Sequence, residues 1–134
     1  MTSDHRIPFD LRMVSWLFIA AGIFHFADII SGLMNGSLHF NLGAVQIFTG
    51  FGILRLKRFW KNAGYIFIAA ESTSAAMALL LDIESASQYG AILFNSGLMN
   101  WSEKTIVIVS IVTLLTAVLK FLVLKIRTQQ GFFS

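Results

Sequence analysis

NAGYIFIAAESTSAAMALLL, Asn62 to Leu81, is an apolar run with one ionisable side chain, Glu71, close to its centre. At about 1.5 Å of rise per residue, a helical run of this length matches the roughly 30 Å hydrocarbon core of a bilayer. A charge at that depth costs about 2.5 to 3.5 kcal/mol on insertion-based scales. The stretch therefore reads as a membrane-spanning helix whose carboxyl has a functional or structural task.

The composition agrees with that reading. The chain has 134 residues, one domain's worth, of which 56% are hydrophobic and only 13% charged. Its mean hydropathy of +0.73 lies outside the balance of a soluble domain. Cysteine is absent, which excludes disulfides, thiolate chemistry and cysteine-ligated metals. The net charge of +3 comes from basic residues at the ends of apolar runs, not from a basic stripe on a solvated element. The partner it implies is the lipid bilayer and not a nucleic acid. No GxSxG, HExxH or phosphate-cradling glycine loop is present, so no catalytic residues are assigned and the chain is read as a non-enzyme. Of its 3 histidines, His25 and His39 fall at comparable depth on successive helices, as a haem axial pair would. His39 lies in or beside a turn, however, and the expectation is no cofactor and no metal.

Working outward from Glu71, three more apolar runs share the pattern. Predicted spans cover about 11–30, 40–54, 62–81 and 105–124. The first follows a short polar tail ending at Arg12 and lacks a convincing small-x-small cleavage site before Asp28, so it is retained and not a signal peptide. SGLMNGSLHFN, residues 31–41, forms the turn to the second span, which stops at RLKRFWK, Arg55 to Lys61. After the third span, SQYGAILFNSGLM is too apolar for a free loop and too short to cross, which predicts an interfacial helix over about 84–99. SGLMN occurs at Ser31 and again at Ser96, but the flanking residues do not repeat. The predicted fold class is all-α: an integral membrane bundle of four transmembrane helices with a short interfacial helix between the third and fourth. Of the 10 Lys and Arg residues, all but Lys104 fall in the tails or the central turn, which places the N and C termini in the cytoplasm.

GILRLKRFWK, Gly52 to Lys61, resembles the junction GLLRLKRWAR that recurs between the second and third helices of small four-helix bacterial membrane proteins. Phe59 before Trp60, and Lys61 directly after it, depart from that pattern. The resemblance spans about twenty residues with its flanks. It implies the same topology and a bacterial inner (cytoplasmic) membrane, and carries no activity.

Polar and small residues fall on helix faces that can converge on one axis. At about 1.5 Å per residue, His25 lies roughly 20 Å above the inner surface, Asp28 roughly 24 Å, Glu71 roughly 15 Å and Gln46 some 13 Å. Glu71, His25, Asp28 and Gln46 are thus a candidate intramembrane polar cluster, with Glu71 expected to be a protonated tie to Gln46, a serine or a carbonyl. Gly22, Gly32, Gly43, Gly50, Ser74, Ala75 and Ala78 are candidate packing residues, because close approach and hydrogen bonding hold helices together in lipid. Arg55, Lys57, Arg58, Lys61, Lys125 and Arg127 are assigned to topology and anionic-lipid contact, and Lys120 is expected to snorkel toward the inner surface. The functional expectation is an accessory or assembly subunit of a membrane complex, joined to other membrane subunits or forming a homo-oligomer. The alternative is a proton- or cation-linked channel or transporter using Glu71.

Overall fold

The computed structural model describes residues 7–36, 41–80 and 103–133. These form four α-helices: α1 (Phe9–Met34), α2 (Gln46–Leu54), α3 (Arg58–Leu80) and α4 (Glu103–Gln129), with a 3-10 turn, Leu42–Val45, leading into α2. The predicted interfacial segment at 84–99 and His39 lie outside the described residues.

Hydropathy marks only the apolar part of a helix, so α1 and α4 run past their predicted ends. α1 begins directly after Pro8, whose carbonyl accepts from the Arg12 amide at 3.0 Å. Asp10 then places a negative charge in the first turn, at the positive end of the helix dipole.

The second span differs most from expectation. α1, α3 and α4 are each long and apolar enough to cross a membrane, whereas α2 is not. Its 9 residues rise about 13 Å and the 4 residues before it add about 8 Å, well short of a 30 Å core. The cause is where the chain re-enters the bundle: the Asn41 side chain bonds His25 at 3.0 Å. The second helical segment therefore begins at the level of His25, about 14 Å along α1 from its Met34 end.

The central basic turn is also tighter than expected. Leu56 takes the left-handed conformation at φ 56°, and its amide bonds the Ile53 carbonyl at 2.9 Å while the Lys57 amide bonds Gly52 at 3.2 Å. This double bond pattern ends α2 and lets α3 begin at Arg58, not Asn62. Leucine is an unusual choice for that backbone, and its side chain compensates by packing on the core. α4 ends the same way through Gly131 (φ 75°), which turns Phe132 and Phe133 back toward Arg127 and Lys61.

That core is Leu11, Val14, Phe18, Ile53, Ile68, Ala117, Val123 and Leu124, drawn from all four helices and concentrated toward the end where both termini lie. Arg12, Arg55, Lys57, Arg58 and Lys125 are exposed at that same basic end. α1 packs chiefly on α2, and α4 on α3, while α1 and α4 touch sparsely. The α1/α2 contact is backbone-close: a Cβ on Gly22 would fall 2.5 Å from the Ile47 nitrogen, and one on Gly50 would fall 2.6 Å from the Ser15 carbonyl oxygen.

Candidate functional site

Glu71 on α3 meets Lys120 on α4. The Lys120 Nζ donates to Glu71 Oε2 at 2.8 Å, and the two side chains are only 4% and 9% exposed for Lys120 and Glu71 respectively. Lys120 thus does not snorkel to the basic end as expected, and the helix geometry says why. Every Cα–Cβ bond leans toward its own helix N-terminus. On α4 that direction points away from the basic end, and on the antiparallel α3 it points toward it, so the two side chains lean toward each other and close a gap in backbone depth. The ammonium also lies over the Phe18 ring, 4.6 Å from its centroid, which brings α1 into the same contact.

The expected tie between Glu71 and Gln46 is accordingly replaced. Gln46 is 2% exposed and sits in the α1/α2 contact, where its Oε1 accepts no hydrogen bond among the described residues. His25 is fixed from α2's side. Asn41 Oδ1 accepts the Gly43 amide at 2.9 Å, which turns its Nδ2 toward His25 Nδ1 at 3.0 Å. Accepting at Nδ1 leaves the ring proton of a neutral His25 on Nε2. The ring also lies against Gly43, where any Cβ would collide with it. Asp28 is buried at 5% exposure.

His25, Glu71 and Lys120 border one cleft of about 260 Å³ between α1 and α4, completed by Leu17, Ala21, Phe24, Val109, Thr113 and Thr116. The structure therefore brings two of the four candidate cluster residues, Glu71 and His25, to one cavity. Asp28 and Gln46 are buried and do not line it. The Thr116 hydroxyl donates to the Thr113 carbonyl at 2.9 Å, so that polar group is satisfied within its own helix. Among the described residues, no group of three or more His, Asp and Glu side chains is placed to hold a metal ion.

Among the packing candidates, Gly22, Gly32, Gly43, Gly50, Ser74 and Ala75 are buried and Ala78 is half-buried. The basic candidates divide. Arg55, Lys57, Arg58 and Lys125 are exposed, but Lys61 is buried with its Nζ 5.9 Å from the Phe133 ring centroid. Arg127 is bound by Asp10, its Nε and Nη2 donating to both carboxylate oxygens at 2.8 to 3.2 Å. Lys61 and Arg127 are thus internal contacts at the basic end and not lipid-facing charges. Sequence reasoning missed Lys120, Asn41 and Asp10. Lys120 carried a signal, since a lysine five residues inside the predicted end of a span is a natural counter-ion for a mid-span glutamate.

The helices and this site define an all-helical chain with three helices able to cross a membrane and a buried ion pair joining two of them. No family model, curated protein or solved structure matches the chain.

Proposed function

We propose that this chain is a small integral membrane protein without catalytic activity, an accessory or assembly subunit that works through its helix surfaces. The observation that carries this reading is the Glu71–Lys120 pair: two buried charges neutralise each other as a tie between helices. Large apolar side chains such as Ile23, Phe48, Ile66 and Leu115 are exposed around the bundle, surface suited to lipid or to neighbouring membrane subunits, including a second copy. Removing Lys120 from the tail charges leaves the asymmetry intact, so positive-inside still favours a cytoplasmic basic end and, with the junction at Gly52 to Lys61, a bacterial inner membrane.

Extraction in mild detergent tests the assembly reading: stoichiometric partner subunits or a defined homo-oligomer support it, and a lone monomer at all concentrations overturns it. The natural chain has no cysteine, so Ser134→Cys gives a single label site; labelling by an impermeant reagent from outside intact cells would reverse the orientation. A second reading, proton- or cation-linked transport, is favoured by one observation, that His25 and Glu71 share a cleft. Flux in proteoliposomes that is abolished by Glu71→Gln would promote it, and flux unchanged by that substitution would remove Glu71 from the role.

A further inference from the structure

The cleft between α1 and α4 has polar and apolar lining, and all of it comes from α1, α3 and α4, the three helices able to cross a membrane. Leu17, Ala21, Phe24 and Val109 give its apolar lining; Glu71 and Lys120 give the charged part of its polar lining, beside His25, Thr113 and Thr116. Phe24, part of that lining, is 43% exposed, so the cleft opens on the apolar outer surface of the bundle.

The charged pair has hydrogen-bonding capacity left over, and it is of two kinds. Lys120 carries three N–H groups and, among the described residues, donates one hydrogen bond, to Glu71 Oε2. The bond that Glu71 accepts among the described residues is to Oε2, and Oε1 takes no part in it. A ligand's head must therefore both accept from Nζ and donate to Oε1. A hydroxyl does both with one atom, whereas a ketone or ester can only accept. The charge count narrows the head further, because the pair is neutral and an ionised head would carry an uncompensated charge into the bundle. Size narrows the body: about 260 Å³ is below the roughly 300 to 1,000 Å³ of drug-sized sites, enough for a head and the first part of one chain.

We propose that this cleft binds a single-chain, uncharged amphiphilic alcohol from the bilayer, its hydroxyl bridging Lys120 Nζ and Glu71 Oε1 and its chain lying along Leu17, Ala21, Phe24 and Val109. The proposal stands whether or not the chain has protein partners, since it concerns a cavity within one chain.

The test is photolabelling of the full chain in lipid nanodiscs with a diazirine-bearing long-chain primary alcohol, competed by 1-dodecanol, dodecane, dodecanoate or dodecylammonium. Saturable labelling of α1 and α4 is expected, with 1-dodecanol competing at least about tenfold better than dodecane or either ion. Ala21→Phe fills the cleft without touching the ion pair and should abolish labelling; Val109→Phe serves the same purpose if Ala21→Phe does not fold. Glu71→Met/Lys120→Met should keep labelling while losing the preference for alcohol over alkane. Unsaturable labelling, labelling unchanged when the cleft is filled, or equal competition by dodecane overturns the proposal.

Discussion

Deleting one member of the Glu71–Lys120 pair should be far more damaging than deleting both. Both side chains are under a tenth exposed, so a single substitution strands the other charge where water does not reach it. Breaking a buried pair in this way costs about 3 to 5 kcal/mol, while replacing both partners with apolar groups of like volume is neutral or stabilising by about 1 to 4 kcal/mol. Insertion scales put an isolated mid-span charge at about 2.5 to 3.5 kcal/mol, which agrees with the lower end. The two singles should differ. In Glu71→Met, the stranded ammonium keeps the Phe18 ring 4.6 Å from its nitrogen, a contact worth about 2 kcal/mol when desolvated. In Lys120→Met, the stranded carboxylate keeps no other ion-pair partner among the described residues. We therefore expect about 2 to 3 kcal/mol for Glu71→Met, about 3 to 5 kcal/mol for Lys120→Met, and the double variant within about 1 kcal/mol of wild type or above it. Reversible unfolding by dodecyl sulfate in mixed micelles, followed by helical circular dichroism, measures all four corners of the cycle. Additive singles, with a double variant as unstable as their sum, would refute the tie.

The remaining predictions concern the other contacts between helices. Asp10→Asn should lower stability by no more than about 1 kcal/mol, because Arg127 and Asp10 are 23% and 33% exposed; the same unfolding titration at low and high salt should show the wild-type advantage shrinking as salt rises. Gly50→Ala should cost about 1 to 3 kcal/mol, since its Cβ would fall 2.6 Å from the Ser15 carbonyl oxygen and the two helices must part; a change below a few tenths in that titration would mean the α1/α2 contact is looser than described. Asn41→Leu should cost about 1 to 3 kcal/mol by removing the side chain that accepts from the Gly43 amide and donates to His25 Nδ1, and hydrogen exchange at Gly43 should accelerate with it.

The fold was legible wherever one physical variable decided it. Apolar run length found α1, α3 and α4, and the basic run at Arg55 to Lys61 found the α2/α3 reversal. α2 was misjudged because hydropathy from Phe40 to Leu54 measures apolarity, not starting depth; the side-chain bond from Asn41 to His25 sets that depth, and it joins residues 16 apart in sequence. The site was half legible. Glu71 stood out because a charge in an apolar run is locally improbable, but its partner lies 49 residues away. Lys120 was expected to snorkel as a long basic side chain near a helix end, which ignored the lean of both side chains along antiparallel helices. The glycine faces were readable because their signal is a spacing within one helix: Gly22 on α1 and Gly50 on α2 each mark a place where backbones meet.

The two ion pairs together solve a problem that α4 poses. Its sequence, largely Ile, Val and Leu, offers few features to fix which side faces the bundle, and in lipid no hydrophobic drive selects one apolar face over another. α1 contributes little apolar contact to orient it. Lys120 and Arg127 are seven residues apart, two helical turns, and so lie on one face about 10 Å apart along the axis. One reaches α3 at Glu71 and the other reaches α1 at Asp10. Two fixed points on one face set both the rotation and the depth of a helix, whereas either alone sets neither. The seam between α1 and α4 can therefore stay open without α4 turning to fill it, and the same Lys120 that anchors the helix also lines the cleft.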